Sequence, residues 1–230
     1  MEEMIGKVEN LMMGEVIHMR TYQAIYDTLF SHYGPQGWWP ADSAMEMMLG
    51  AILVQHTNWN NVEKAMKNVK VYRSPEELYE LSLDELATLI RPSGFFNTKA
   101  KRIKSFLMWF RQYDYDVRKL RYLKRLELRE QLLQIHGIGK ETADVILLYA
   151  FGKPIFVVDA YARRLFKRLG FNMPDTYDAF RSDVERELPE SVEIYNEYHA
   201  LIVMHAKVHC KATPICTDCP LWEYCERQIS

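Results

Sequence analysis

The four cysteines of the chain lie together near its C-terminal end, at Cys210, Cys216, Cys219 and Cys225. Thiolates bind soft metals such as zinc and iron, so this cluster predicts a metal-binding loop. Zinc ribbons usually carry two CxxC pairs, whereas this segment has one, at Cys216 and Cys219. A disulfide scaffold would spread its cysteines along the chain, and we do not expect one here. The residues alone leave zinc and an iron–sulfur cluster as alternatives.

A second pattern lies at 134–144, where two glycines interrupt a helical sequence. Gly137 and Gly139 can adopt backbone angles denied to other residues, so we predict a tight turn between two helices. Their amides could approach a phosphate closely, and the following helix start would add a favourable dipole. The spacing GxxxxGK[ST] of a nucleotide-binding loop is absent. An ordinary turn between helices is the alternative.

An aspartate follows this hairpin, after a Gly/Pro-rich loop and a short apolar run. Gly152 and Pro154 precede the run at 155–158, then come Asp159 and a basic helical segment. A carboxylate at a helix start caps the first amides, which is the plain interpretation of Asp159. The same carboxylate could also act as a general base or as a countercharge to a cation.

The hairpin, the loop and Asp159 together resemble the helix-hairpin-helix DNA glycosylases related to endonuclease III. The resemblance runs from about Trp38 to Cys225 and implies a partner, damaged double-stranded DNA, that is held by its backbone. In that family the C-terminal cysteines bind a [4Fe-4S] cluster, and the first gap has six residues where this chain has five. The resemblance therefore implies a structural [4Fe-4S] cluster rather than zinc.

The same resemblance bears on the reaction. Bifunctional members carry a lysine just inside the helix after the hairpin, where this chain has Glu141. Lys140 is no substitute, because adjacent helical positions point about 100° apart. A carboxylate cannot form the imine that strand cleavage requires. We therefore expect a monofunctional glycosylase with Asp159 and Glu141 as catalytic residues, Asp159 activating water.

Aromatic residues before the hairpin indicate the substrate. Trp38 and Trp39 in W-W-P, with Gln55 and Trp59 in Q-x-T-x-W, resemble the monofunctional 3-methyladenine glycosylases. This implies a base pocket of Trp38, Trp39, Trp59 and Gln55, with Gln55 entering the gap left by the flipped nucleotide. Phe95 aligns with a second wedge position. Tryptophan faces attract cations, so we expect cationic alkylated purines as substrates, 3-methyladenine first and 7-methylguanine second. Core packing is the alternative for each tryptophan.

Three other functions stay open at this point. A bifunctional pyrimidine glycosylase and lyase is disfavoured by Glu141. An adenine mismatch glycosylase would need a further domain after Cys225. A noncatalytic helix-hairpin-helix DNA-binding protein would not need Asp159 or an aromatic pocket.

The formal net charge of −2 conceals an uneven distribution. Residues 99–129 include 11 basic and 3 acidic side chains, whereas 1–50 include 2 basic and 7 acidic ones. We therefore expect DNA to bind along one face, although part of this stretch could be only a solvated helix surface. The expected DNA-binding residues are Gly137, Ile138, Gly139, Lys140, Phe95, Lys99 and Lys101.

Helices must position all these groups. Apolar residues recur at three- and four-residue spacing in ten segments between residues 25 and 188, and Ser74 and Ser82 carry the pattern of helix starts. We predict an all-α protein whose two helical subdomains flank a DNA-binding cleft. A six-helix barrel would span 37–153, and 1–36 would join 154–230 with the cluster loop. The run at 155–158 is predicted to be a buried connector.

The start of the chain lacks the pattern of a signal peptide, and the apolar runs are too short for a bilayer. We therefore expect a cytoplasmic, nucleoid-associated monomer without a membrane partner.

Overall fold

Helices make up the regular structure of this protein. The computed structural model describes residues 20–38, 41–72 and 74–227, and within these ranges it contains twelve α-helices and no strand. The helices are α1 Tyr22–Tyr33, α2 Ala44–Leu53, α3 Trp59–Val69, α4 Pro75–Glu80, α5 Leu83–Leu89, α6 Phe96–Arg111, α7 Val117–Tyr122, α8 Arg125–Gln134, α9 Lys140–Val145, α10 Ala160–Leu169, α11 Tyr177–Glu187 and α12 Val192–Val208. The predicted all-α class is confirmed.

Side-chain caps fix the starts of the helices. Ser74 Oγ accepts a hydrogen bond from the Glu77 amide at 3.2 Å. Ser82 Oγ accepts one from the Glu85 amide at 3.2 Å, and the Glu85 carboxylate accepts one from the Ser82 amide at 2.8 Å. This reciprocal box satisfies amides that have no partner within the helix. Both predicted helix starts are confirmed.

Helix α12 lies at the centre of the packing, against α1, α10 and the segment that follows α9. It was not among the ten segments that the periodicity indicates. Six consecutive residues at 198–203 are buried, so the helix has no apolar stripe with a polar opposite face. A helix whose middle is buried over most of its surface gives a weak amphipathic signal, and this one carries His199 and Lys207 of the site described below.

Two other predicted segments differ from the structure. The periodic stretch at 120–135 is divided, because the backbone is extended at Leu123 and Lys124 between α7 and α8. The stretch at 142–151 begins as α9 but continues as a wider π-helical turn over Ile146–Ala150. The run at 155–158 is a buried connector, as predicted, with no residue more than 2% exposed.

The division into subdomains at residue 153 stays a prediction. None of the helices in the described part of the chain is long and apolar enough to cross a membrane.

Candidate functional site

A cleft of about 830 Å³, its open mouth included, brings Glu141 and Asp159 together with two of the tryptophans. Its walls are formed by the loop before α2, the start of α3, helix α9, the start of α10, and helix α12. It is lined by Trp38, Val54, Thr57, Asn58, Trp59, Glu141, Val145, Asp159, Ala160, Tyr161, His199, Val203 and Lys207. The fold therefore joins residues from both ends of the chain in one concave site.

Asp159 lies at the start of α10 and is held there by the backbone. Its Oδ1 accepts a hydrogen bond from the Ala162 amide at 2.7 Å, and the residue is 8% exposed. The buried connector at 155–158 precedes it and anchors the chain on that side. Asp159 can thus be both a helix cap and a reactive group, since the cap also orients its carboxylate at the cleft.

His199 of α12 lies beside Asp159 and was not foreseen from the sequence. Its Nε2 is 3.6 Å from Asp159 Oδ2, and the residue is 4% exposed. Its Nδ1 is 2.6 Å from the hydroxyl oxygen of Tyr149, in the π-helical turn. On the cleft side its ring centroid lies 5.6 Å from that of Trp38. A lone histidine in an unpredicted helix gives no signal in a single sequence.

Glu141, on the first turn of α9, opens into the same cleft. Desolvation raises its pKa, and the nearby negative charge of Asp159 raises it further. Two carboxyl groups therefore face one site in different environments. Glu141 holds a proton at a higher pH than an ordinary glutamate does.

The aromatic residues frame the mouth of the cleft. Trp38 and Trp59 both line it, and Trp59 Nε1 donates to Glu63 at 3.0 Å. Lys207, which the sequence analysis also missed, holds its ammonium 5.9 Å from the centre of the Trp38 ring. Trp39 lies outside the described residues, so its predicted place in the pocket stays a prediction.

Gln55 does not line the cleft. Its Nε2 donates to the Gly137 carbonyl at 3.2 Å and to Thr142 Oγ1 at 2.9 Å, and its Oε1 accepts from Arg102. These bonds turn the side chain toward the hairpin, which corrects its predicted place in the base pocket. Its predicted entry into the gap left by a flipped nucleotide would require breaking them.

Two exposed rings stand together near Gln55. Phe95 is 68% exposed, and its ring centroid is 6.0 Å from that of His56. Both residues have left-handed backbone, with φ of 46° for Phe95 and 55° for His56. Such conformations are strained for residues other than glycine and concentrate at functional sites. Phe95 is thus at the surface, as a wedge requires, and the sequence analysis did not select His56.

Lys99 corrects one of the predicted phosphate contacts. The residue is 1% exposed, and its Nζ donates to the carbonyls of Leu53 at 2.8 Å and Ser93 at 2.6 Å. Burial lowers its pKa to about 8. Lys99 ties the end of α2 to the turn before Phe95 and has no free ammonium for DNA. Lys101 is exposed and stays a candidate.

The hairpin agrees with the prediction only in part. Gly137 has φ of +85°, and a Cβ there would lie 2.2 Å from Arg102 Cγ. Gly139 has φ of −89°, which any residue can adopt, so the expected backbone freedom is required at Gly137 alone. Ile138 is 4% exposed and its amide donates to the Ile135 carbonyl at 3.1 Å, so the expected phosphate contact is wrong there.

The start of α9 remains open to a ligand. Gly139 and Lys140 are exposed, and the first amides of a helix have no acceptor within it. The Lys140 ammonium is 2.5 Å from Asp178 Oδ2, so its charge is partly compensated. Asp178 also binds Arg129, whose guanidinium contacts the fully buried Asp144 at 2.6 Å. Part of the basic stretch at 99–129 thus supports the hairpin from inside.

The four cysteines surround a common cavity of about 370 Å³, mouth included. Two N–H groups point at their sulfurs, from Arg168 to Cys210 Sγ at 3.4 Å and from the Arg227 amide to Cys225 Sγ at 3.3 Å. Arg164 Nε also donates to the Cys210 carbonyl at 2.9 Å, so α10 carries the loop. Hydrogen bonds to sulfur are typical of thiolate ligands.

The spacing of the thiols distinguishes two kinds of metal group. In the described ranges no three Cys, His, Asp or Glu side chains are close enough to hold one metal ion. A single zinc ion at 2.3 Å from each sulfur would need sulfurs about 3.8 Å apart. A four-iron cluster has a different requirement, because each of its thiolates binds its own iron.

Comparison with known proteins gives consistent matches. The HhH-GPD family, described as a superfamily of base excision DNA repair proteins, matches residues 49–190. A provisionally named DNA repair glycosylase of Methanocaldococcus jannaschii is 46% identical over 206 residues, which cover 87% of this chain and 94% of that protein. Endonuclease III of Thermotoga maritima is 30% identical over 183 residues, covering 78% and 81%.

Two solved structures have a similar fold. The 3-methyladenine DNA glycosylase of Helicobacter pylori, bound to 1,N6-ethenoadenine, matches with a TM-score of 0.72 and 28% identity over 82% of this chain and 98% of that one. A non-covalent complex of endonuclease III with DNA matches with a TM-score of 0.78 and 26% identity, over 91% and 97%.

Proposed function

Because the chain belongs to the HhH-GPD superfamily of base excision DNA repair proteins, we propose that it is a monofunctional DNA glycosylase that excises alkylated purines. The observation that carries the proposal is the cleft in which the capped carboxylate of Asp159 faces Glu141, Trp38 and Trp59. A noncatalytic DNA-binding protein would not require a fixed carboxylate in an aromatic cleft.

The bond that breaks joins the base to C1′ of the deoxyribose. As the C1′–N bond breaks, its electron pair leaves with the base, and C1′ acquires the character of an oxocarbenium ion. A water molecule then forms a bond from its oxygen to C1′, and Asp159 takes the proton that the water loses. The negative charge of Asp159 also stabilises the cationic sugar. Both roles need a carboxylate fixed beside C1′, for which the cap on α10 is suited.

The walls of the cleft suit an alkylated purine. A purine methylated at N3 or N7 is positively charged before it leaves, and it departs as a neutral base without needing an acid. The faces of Trp38 and Trp59 offer stacking and a favourable interaction with that charge. The similar fold of a 3-methyladenine glycosylase supports the same substrate class.

Glu141 supports the monofunctional assignment, because it stands where bifunctional relatives carry their lysine. Lys140 lies beside Asp178 and does not line the cleft. Lys207 does line it, from α12, and is therefore the amine to test for covalent chemistry with DNA.

We further propose that Cys210, Cys216, Cys219 and Cys225 hold a [4Fe-4S] cluster, in keeping with the endonuclease III relatives. When bound, such a cluster crosslinks the loop through four thiolates. The residues around it act structurally, since Arg164 and Arg168 of α10 fasten the loop to the helix that begins at Asp159. We expect the protein to act as a monomer on damaged double-stranded DNA.

The test is the identity of the base released from DNA. Duplexes carrying methylated purines, thymine glycol or an adenine mismatch are incubated with the protein, and the released bases are separated and identified. We expect release of 3-methyladenine, with 7-methylguanine at a lower rate. Release of thymine glycol without any methylpurine would contradict the substrate assignment, and no release from any duplex would favour a binding protein.

A further inference from the structure

Three side chains form a row that ends in the wall of the cleft. Tyr149 lies in the π-helical turn, His199 on α12 and Asp159 at the start of α10. The Tyr149 hydroxyl oxygen is 2.6 Å from His199 Nδ1, and His199 Nε2 is 3.6 Å from Asp159 Oδ2. His199 and Asp159 are only 4% and 8% exposed. The row thus joins three separate segments and ends at the carboxylate assigned to catalysis.

Two arrangements of hydrogens are compatible with the distances in this row. The Tyr149 hydroxyl has one hydrogen, and the acceptors near it include His199 Nδ1 at 2.6 Å and the Asn196 carbonyl at 3.4 Å. When Nδ1 accepts this hydrogen, a neutral imidazole carries its own hydrogen on Nε2. In the alternative arrangement Nδ1 donates to the hydroxyl oxygen and the hydroxyl donates to the Asn196 carbonyl, so the carboxylate beside Nε2 decides between the two. Burial raises the pKa of Tyr149 well above its usual value, which keeps this hydroxyl protonated.

The Nε2 hydrogen points toward Asp159. Asp159 Oδ1 is already fixed by the Ala162 amide at 2.7 Å, and Oδ2 is the oxygen that faces His199. The hydrogen bond to Oδ1 holds the carboxylate, and an N–H on Nε2 would add an electrostatic attraction at Oδ2. The opposite tautomer would present a bare lone pair of Nε2 to the negative oxygen, which is repulsive.

The backbone around Tyr149 departs from α-helical geometry. A π-helical turn contains one residue more than an α-helical turn, so it rotates the residues after it by about 100° relative to an uninterrupted α-helix. Tyr149 lies within that turn, at Ile146–Ala150. Such turns occur frequently at functional sites, and here the turn carries the residue that contacts His199.

We propose that Tyr149 fixes the tautomer of His199 and that His199 in turn orients the Asp159 carboxylate toward the cleft. Both are positioning residues, because neither is assigned a contact with the reacting atoms. The inference rests on the proposed function, since the role of the orientation is to aim Asp159 at the water and the sugar. A row that served packing alone would require the shapes of the side chains but no particular nitrogen.

Matched substitutions distinguish positioning from packing. His199→Gln can keep an N–H donor near the place of Nε2, whereas His199→Asn places its amide near Nδ1. Tyr149→Phe keeps the ring and removes the hydroxyl. Rates of base release under single-turnover conditions, affinities for damaged duplex and melting temperatures are measured for the full chain of each variant.

We expect His199→Asn and Tyr149→Phe to lower the rate of base release by about 10-fold, because each disturbs the N–H that faces the charged Asp159 carboxylate. His199→Gln should retain more activity than His199→Asn, and the affinity for DNA should stay the same in all three. Equal rates for the Gln and Asn variants, or an undiminished rate for Tyr149→Phe, would overturn the proposal.

A second measurement is independent of activity. The ¹⁵N chemical shifts of the imidazole nitrogens identify the tautomer of His199 in the free protein, with His199→Gln providing the assignment. We expect the hydrogen on Nε2 in the wild-type protein and a mixture of tautomers in Tyr149→Phe. A wild-type protein with the hydrogen on Nδ1 would refute the proposal whatever the enzyme does. If the tautomer is as expected but no base is released from any duplex, the glycosylase assignment fails and the contact assignment stands.

Discussion

Replacement of Gly137 by alanine tests how the hairpin is held. The φ of +85° costs a residue with a Cβ about 1–2 kcal/mol. The new Cβ would also lie 2.2 Å from Arg102 Cγ, so the Arg102 side chain must move. Its hydrogen bond to Gln55 would then be lost, at about 0.5–1.5 kcal/mol. The two effects together give roughly 2.5 kcal/mol, which lowers the melting temperature of a chain of this size by about 5–10 °C.

The assay is thermal unfolding followed by circular dichroism, with binding to undamaged duplex measured in parallel. Gly139→Ala is the matched control, since its φ is −89° and no atom lies within 4 Å of a Cβ there. Gly137→Ala combined with Arg102→Ala should destabilise less than the sum of the two single variants, because the collision is then absent. Equal melting temperatures for Gly137→Ala and Gly139→Ala would refute the reasoning.

Three further outcomes are expected. Glu141→Gln should raise the melting temperature at about pH 8 and leave it unchanged near pH 4, because the raised pKa of Glu141 makes native stability fall as pH rises. An equal change at both pH values would contradict this. Borohydride reduction during turnover should trap no covalent complex with DNA, and a complex that disappears in Lys207→Ala would make Lys207 a nucleophile. Anaerobically purified protein should contain about four irons per chain, and Cys219→Ser far fewer, whereas a zinc-containing protein would overturn the cluster assignment.

The sequence was informative where local chemistry determines the structure. Ser74 and Ser82 begin helices because the hydroxyl of an N-cap serine accepts a hydrogen bond from the amide three residues later, which is a local interaction. Gly137 was recognised because a tight turn between helices demands a backbone that few residues tolerate. The family resemblance, which rests on such local motifs, is confirmed by the match over 49–190.

The errors arise where tertiary packing overrides local pattern. Lys99 lies in a basic stretch, but the carbonyls of Leu53 and Ser93, on other segments, bind its ammonium inside the protein. Gln55 is drawn to the hairpin by Thr142, which is distant in sequence. Neither partner is visible in a list of charges and spacings.

Helix α12, which the periodicity did not predict, had the largest consequence for the site. It contributes His199 and Lys207 to the cleft, yet the continuous burial of 198–203 leaves no clear periodic stripe. The π-helical turn that carries Tyr149 is likewise a departure from regular geometry that periodicity cannot reveal. The position of Asp159 at a helix start in the cleft was thus predictable from its motif, while the residues around it were not.

The most direct measurement is the rate of 3-methyladenine release from methylated duplex DNA by the wild-type protein and by Asp159→Asn. Asparagine is as good a helix cap as aspartate, so α10 should keep its start and only the charge is lost. We expect release by the wild-type protein and a decrease of about 10²- to 10⁴-fold in the variant, with unchanged affinity for DNA. Undiminished release by Asp159→Asn, or no methylpurine release by the wild-type protein, would contradict the account.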